Sequence, residues 1–377
     1  MSTNLKTVPL IATDIDGVVL HRYTEIPGAK EAIELLQKHE EIPFTFLTNR
    51  SLVPEKEMAK QINESCKIEE NLQVDEHQII MCQTPMKQLF QNYQNQNIPI
   101  LIITREKCEV ERQMNYRFYE DMGIQNYITG REYSKLYPQL VPLFSGIPQE
   151  EVKAIEERVS KRFNKPIDEI KKSPMQVGAI FLTAYPDLFE ENIQIIMDLL
   201  SSEDGTIADK FTKGKRKHIP VYSFYNDLCC KAQELAVPRL LMGGFTEVLQ
   251  AIFKKLYDFE LEIIFYGKPQ TKVFKFMEEY VMSQEYIDAR HHHRKTLQQN
   301  NTLQERIELS NKYMIGDNPQ SDIQGANNTP GWISILVKTG VYHGQDNDPV
   351  NPAKYVVSDF KEAVKLICKL ENIPCNL

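Results

Sequence analysis

No stretch of the 377 residues approaches the ~20 consecutive apolar residues that a membrane-spanning helix needs, so a bilayer-embedded protein is not expected. Basic excess is also missing. The 44 Lys and Arg stand against 52 Asp and Glu, a net charge of −8, which disfavours the positive surface of a general nucleic-acid binder. Cysteine is sparse and odd in number at 7; only Cys229 and Cys230 adjoin, and no metal spacing or disulfide framework can be drawn. Reduced thiols inside a cell fit that usage. The first ten residues hold one Lys, no Arg and no apolar segment, unlike a secretory or Arg-rich transit peptide, so the expected location is cytoplasmic, with mitochondria as the alternative. Three glycine-based motifs are missing as well: the Gly-x-x-x-x-Gly-Lys-Ser/Thr loop, a Gly-x-Gly-x-x-Gly turn after the first strand, and the Gly-x-Ser-x-Gly elbow. Nucleotide-loop, dinucleotide and serine-hydrolase chemistries lose their support with them.

What is present is ordinary globular composition, 42% hydrophobic and 25% charged, at a length that calls for two domains or one domain with a large insertion. Short apolar runs at 9–12, 44–47, 261–266, 313–315, 333–337 and 355–357 read as buried strands. Helical periodicity lies at 29–39 and again from Phe360. Strands separated by helices predict an α/β protein with a doubly wound parallel sheet. The middle of the chain has strands of its own at 98–104, 177–183 and 219–222, with helices at 150–163 and 189–200, and reads as a second α/β domain inserted into the first. The expected division is a core of 1–82 and 224–377 around an insert of 83–223. A polar segment, 284–310, carries the run His291-His292-His293 and reads as an exposed insertion within the core.

Four of the core strands are predicted to stop at residues suited to phosphate chemistry: Asp14 with Asp16, Thr48, Lys268, and Asp317 with Asp322. Open α/β sheets bind ligands beyond the carboxyl ends of their strands, so these distant positions would meet at one edge. Two carboxylates one residue apart, followed by the permissive Gly17, can both lean over that edge. One could attack as a nucleophile, and the other could protonate a leaving oxygen and later deprotonate water. Clustered carboxylates call for a hard cation, and oxygen ligands select Mg²⁺. Lys268 would stabilise charge on a transferring phosphoryl group, and Thr48 and Asn49 offer it a hydroxyl and an amide. Each feature alone has a bland reading as a turn or a helix cap; together they reinforce one another.

Asp14-Ile15-Asp16-Gly17-Val18, Thr48-Asn49, Lys268 and the run Gly316-Asp317-Asn318-Pro319-Gln320-Ser321-Asp322 resemble, in order, the four motifs of the haloacid dehalogenase (HAD) superfamily of phosphotransferases. Ile26-Pro27-Gly28-Ala29, Gly267-Lys268-Pro269 and the run from Val337 to Tyr342 resemble its subclass IIA. Phe224-Tyr225-Asn226-Asp227-Leu228 looks like the eukaryotic branch of cat eye syndrome critical region protein 5-like hydrolases. The resemblance implies a Rossmann-like core with an inserted α/β cap of the C2 type. It also implies an aspartyl-phosphate mechanism with Asp14 as nucleophile, Asp16 as general acid/base, and Thr48 and Lys268 holding the phosphoryl group. Mg²⁺ would be bound by Asp14, the Asp16 carbonyl and Asp317, with Asp322 in support. Asn49, Asn226 and Asp227 are the expected substrate contacts. Arg50 departs from the pattern, since relatives often carry a small or amide residue there. The expected function is Mg²⁺-dependent hydrolysis of a small phosphomonoester by a protein whose partner is a phosphorylated metabolite, with no nucleic acid and no membrane, and with a homodimer allowed. The competing expectation is a non-catalytic HAD-fold subunit of a larger assembly.

Overall fold

The computed structural model describes residues 6–143, 148–230, 237–291 and 307–377. Internal contacts divide the chain into two compact units, residues 1–85 with 267–377, and residues 86–266.

The first unit is built on a six-stranded sheet in the order Tyr355–Val357, Trp332–Val337, Ile307–Gly316, Lys6–Thr13, Phe44–Thr48 and Ile79–Met81. Every pairing is parallel. Side chains alternate between its two faces with the period of two that strands impose. Ile11, Phe44, Phe46, Ile79, Tyr313, Ile315 and Ile335 enter one apolar cluster, while Leu10, Ala12, Leu47, Ile80 and Met314 enter another. Parallel strands covered on both faces read as continuous apolar runs, which is why they were visible in the sequence. The helices Ala29–Lys38, Glu55–Cys66 and Phe360–Glu371 cover the first face. Thr271–Tyr280 and Gln284–His291 cover the second. Helix Phe360–Glu371 shows the pattern plainly, burying Phe360, Ala363, Val364, Ile367 and Cys368 at helical spacing and capped by Asp359, which accepts from Glu362 N.

Chain order along this sheet runs outward from Lys6–Thr13 on one side and outward from Ile307–Gly316 on the other. The direction of winding therefore reverses between these two adjacent strands, the position where open α/β sheets form a ligand crevice.

The second unit carries five parallel strands in the order Ile263–Phe265, Val221–Ser223, Ala179–Leu182, Ile100–Ile103 and Tyr127–Thr129. The sequence division at Phe224 is corrected by this sheet. Residues 224–266 belong to the inserted unit, because Ile263–Phe265 pairs with Val221–Ser223 rather than with the core strands. An apolar run announces a strand but not the sheet that receives it.

The segment 284–310 also departs from expectation. Gln284–His291 is a helix tied into the first unit: the Tyr286 hydroxyl is buried, donates to Phe44 O at 3.0 Å and accepts from Phe44 N at 2.9 Å. Arg290 is buried beneath it and donates to the carbonyls of Leu36, His39 and Ile42 at the end of helix Ala29–Lys38, and to Gln37. A cation satisfying the last carbonyls of a helix also complements its dipole. The strand Ile307–Gly316 begins inside the same predicted insertion. His292 and His293 lie outside the described residues.

Candidate active site

Strand Lys6–Thr13 is held against its neighbour to its end, where Asp14 N donates to Ile315 O at 2.8 Å. The chain then turns. Gly17 takes a φ of +86°, a conformation open to glycine, and Thr339 Oγ1 donates to its carbonyl at 2.5 Å. One strand over, the chain leaves Gly316 into Asp317 and a wide helical turn, Pro319–Ile323, that aims Asp322 back at the strand ends. Asn318 opens this turn by accepting from Gln320 N, and Asp322 Oδ2 accepts from Asn318 N at 3.0 Å.

The outcome is a cluster of three carboxylates, Asp14, Asp317 and Asp322, with one oxygen of each within 4.8 Å of the others. Lys268 is buried among them. Its Nζ lies 2.9 Å from Asp14 Oδ1 and 2.6 Å from Asp322 Oδ1, and donates to Leu47 O at 2.8 Å. Asp14 Oδ1 also accepts from Ile15 N at 2.8 Å, and Asp317 Oδ2 accepts from Val341 N at 2.6 Å.

Charge is unbalanced here, and the ionisation of the groups reflects it. Burial alone would pull the Lys268 ammonium below its usual range, but the Asp14 and Asp322 carboxylates outweigh burial and hold it above that range. Burial and then the charges of Asp322 and Asp14 push Asp317 well above the ordinary carboxylate range. Burial pushes Asp322 up to about 7 despite the opposing Lys268. Three buried carboxylates sharing one ammonium form a set that a hard divalent cation would neutralise, so the donor set fits Mg²⁺.

The walls of the cluster are glycine by necessity. A Cβ on Gly340 would stand 1.8 Å from Asp317 Oδ2, and one on Gly316 would stand 2.1 Å from Asp322 Cβ. Neither is compatible with the carboxylates staying where they are.

Asp16 stands outside the carboxylate cluster, with its side chain 45% exposed. Partial burial and the nearby Asp14 charge raise its affinity for a proton, against the lowering effects of Arg50 and Lys268. Arg50 Nη2 donates to Asp16 Oδ1 at 2.9 Å. Thr48 is buried at its strand end, and its Oγ1 accepts from Arg50 N at 3.1 Å.

Asp14, Asp16, Thr48, Lys268, Asp317 and Asp322 are thus brought together in the first unit, as their positions predicted. One part of the prediction is corrected. Lys268 does not end a strand of the six-stranded sheet, since the strand before it is in the other sheet; it arrives on the segment leading into helix Thr271–Tyr280. Asn49, expected as a substrate contact, has its side-chain amide on the backbone of Lys268 at both ends, accepting from Lys268 N at 2.8 Å and donating to Lys268 O at 2.9 Å. Asn226 and Asp227 lie in the second unit. There Asn226 Oδ1 accepts from Thr246 Oγ1 at 3.2 Å and Asp227 O accepts from Gly243 N at 2.9 Å, seating the start of helix Met242–Tyr257. Sequence reasoning did not assign Gly340 and Val341 to the site. The Lys-Thr-Gly run at 338–340 is the signal that could have done so, because it follows the strand adjacent to the one that delivers Asp317.

Two family models match the chain, one described as haloacid dehalogenase-like hydrolase over residues 11–117 and one as HAD-hydrolase-like over residues 265–363. A mitochondrial hydrolase of Saccharomyces cerevisiae is 27% identical over 364 residues, covering 94% of this chain and 93% of its own length. A cardiolipin synthase (CMP-forming) / mitochondrial hydrolase fusion protein of Schizosaccharomyces pombe is 27% identical over 354 residues, 93% of this chain. The chain spans about half of that fusion protein, 51% of its length. Among solved structures, a 4-nitrophenylphosphatase from Thermotoga maritima shares the fold with a TM-score of 0.52 at 15% identity, over 95% of this chain and 97% of that one.

Proposed function

The chain belongs to the haloacid dehalogenase-like hydrolases, and from that premise we propose that it is a Mg²⁺-dependent phosphatase acting on a small phosphomonoester. The observation that carries the proposal is the burial of Lys268 between Asp14 and Asp322 beside Asp317, at the point where the sheet reverses its winding. A structural ion pair needs one carboxylate per ammonium. Three carboxylates around one lysine, buried, are costly to fold and gain their use when a cation and a phosphate arrive.

In this reading Asp14, the Asp16 carbonyl, Asp317 and Asp322 hold Mg²⁺, which when bound screens the repulsion between an anionic phosphate and an anionic nucleophile. Lys268 and Ile15 N fix the Asp14 carboxylate through Oδ1, so that one of its oxygens would face the metal and the other attack phosphorus. A bond forms from Asp14 to phosphorus as the bond to the leaving oxygen breaks, and Asp16 gives its proton to that oxygen. Water then attacks the aspartyl-phosphate while Asp16 takes back a proton, releasing inorganic phosphate and restoring Asp14. Lys268 stabilises charge on the phosphoryl oxygens, and Thr48, whose Oγ1 accepts from Arg50 N, keeps its own hydroxyl proton for the same purpose.

Two relatives that match most of this chain are named as mitochondrial, which supports a mitochondrial location over the cytoplasmic one. Among the described residues no helix is long and apolar enough to cross a membrane.

The test is phosphate release from a panel of phosphomonoesters with Mg²⁺ or with EDTA, by the wild type and by Asp14→Asn. Release that needs both Mg²⁺ and Asp14 is the expected result. Release that survives Asp14→Asn would sink the aspartyl-phosphate mechanism, and absence of release on every ester would favour the non-catalytic subunit.

A further inference from the structure

Arg50 is anchored far more thoroughly than a half-buried arginine requires. Its N–H donates to Thr48 Oγ1 at 3.1 Å, and its carbonyl accepts from Cys82 Sγ at 3.3 Å. One arm of the guanidinium donates to Gln61 Oε1 at 3.0 Å and the other to Asp16 Oδ1 at 2.9 Å. Gln61 is held in turn, donating through Nε2 to Arg22 O at 2.8 Å. The side chains of Arg50 and Asp16 are 25% and 45% exposed, and an ion pair that open to water adds ~0–1 kcal/mol to stability. Such bracing is out of proportion to that gain. It is in proportion to the need of Asp16, a short side chain beside the turn at Gly17 with solvent on one side.

We propose, building on the phosphatase reading above, that Arg50 is a positioning residue that fixes the Asp16 carboxyl for proton transfer to the leaving oxygen. A guanidinium does not give up its proton in a protein, so Arg50 cannot stand in as the acid and can only orient it. Its planar fork spans Asp16 and Gln61 at once, tying the carboxyl to helix Glu55–Cys66. Throughout the cycle the proton moves from Asp16 to the leaving oxygen and from water to Asp16, while Arg50 keeps all of its own.

Proton donation matters only when the leaving group needs it, which separates this role from a merely structural one. An alkyl phosphate leaves as a strongly basic oxygen, whereas 4-nitrophenyl phosphate leaves as a stable anion. With the full chain and Mg²⁺, Arg50→Met should lower kcat on an alkyl phosphate by ~100-fold or more, on the scale of general acid catalysis, and on 4-nitrophenyl phosphate by less than ~10-fold. KM should stay within about 3-fold for both, and Arg50→Lys should recover part of the alkyl loss. Equal losses on the two esters, or a raised KM with kcat intact, would overturn the assignment. A crystal structure of Arg50→Met adds a readout independent of turnover: the Asp16 carboxyl should be displaced, and finding it in place would also overturn the idea. If Arg50→Met fails to fold, Gln61→Leu removes the brace without touching Asp16 and should give a smaller loss with the same leaving-group bias; an unbiased loss counts against the proposal. A wild type that releases no phosphate from either ester, or an Asp14→Asn that still does, overturns the phosphatase reading and this one together, whereas an unbiased loss overturns this one alone.

Discussion

Asn49 holds Lys268 by its backbone: one side-chain amide accepts from Lys268 N at 2.8 Å and donates to Lys268 O at 2.9 Å. These residues are 219 positions apart, and the pair of bonds fastens the segment carrying Lys268 to the end of strand Phe44–Thr48. The ammonium is then delivered to Asp14 and Asp322 from a backbone that cannot drift.

Asn49→Ala should therefore act on turnover and stability more than on substrate affinity. Loss of two hydrogen bonds, with the Lys268 peptide left short of partners, costs roughly 1–3 kcal/mol in urea unfolding. A displaced ammonium lowers kcat by ~10- to 100-fold. Asn49→Asp keeps the acceptor but cannot donate, and should fall between Asn49→Ala and wild type in stability. A change confined to KM would instead return Asn49 to the substrate-contact role that its sequence position suggested.

Asp317→Asn tests the electrostatics of the carboxylate cluster. Asp317 is buried against Asp322 and Asp14, and that arrangement raises its proton affinity well above the ordinary range. Asparagine is neutral in the folded and the unfolded chain, so the variant escapes the cost of burying or protonating a third carboxylate in the metal-free protein, and in EDTA it should melt higher than wild type. Mg²⁺ should raise the melting temperature of the wild type by mass action on the folded state and leave the variant unmoved. Differential scanning fluorimetry across a Mg²⁺ titration reads both effects. An equal response of the two proteins would remove Asp317 from the metal site.

Much of this arrangement could be read in the sequence because strands buried on both faces are continuous apolar runs that end abruptly. Asp14, Thr48 and Asp317 each mark such an end, and the rule that ligands gather at carboxyl ends brings them together without any knowledge of packing. Lys268 was found for a partly mistaken reason. The run 261–266 is a strand, but strand identity is local while sheet membership depends on long-range pairing, and 263–265 pairs with 221–223. The hold of Asn49 on Lys268 was hidden for a related reason: its partner lies 219 residues away, and spacing along the chain does not show the pairing. Helix Gln284–His291 was hidden by polar composition, because its hold on the core comes from two side chains, Tyr286 and Arg290, and not from an apolar stripe.

Gly340→Ala should be as damaging as the loss of a ligand. The added methyl would fall 1.8 Å from Asp317 Oδ2, so the carboxylate or the 338–341 backbone must move, and with it the bond from Val341 N to Asp317. The φ of Gly340 is not in the left-handed region, so steric overlap rather than backbone strain is the cause. The variant should stay folded by circular dichroism, lose the Mg²⁺-dependent rise in melting temperature and lose most of its turnover. Wild-type behaviour would mean that Asp317 has room to step aside.

Glu106 offers a pH test in the second unit. Its carboxyl is buried, and Oε1 accepts from two neutral hydroxyls, Thr129 Oγ1 at 3.1 Å and Tyr116 at 3.4 Å. Burial, with the neighbouring Glu132 and Asp187 charges adding to it, pushes Glu106 up to about 8 from an ordinary value of 4.5, against the opposing Thr129 bond and Arg131. The cation Arg162 is already committed to Glu132, at 2.6 Å, and does not neutralise Glu106. Between these two pH values the folded protein holds a proton that the unfolded chain releases, so this group's contribution to stability falls as pH rises from about 4.5 and levels off above about 8. Glu106→Gln is neutral in both states and escapes the fall. Urea unfolding followed by circular dichroism at pH 5, 7 and 9 should show the variant gaining on wild type at each step, by a few kcal/mol in total. Other titrating groups cancel in the difference between the two proteins. A gap that stays constant across the range would mean that Glu106 is already ionised in the folded state at pH 5.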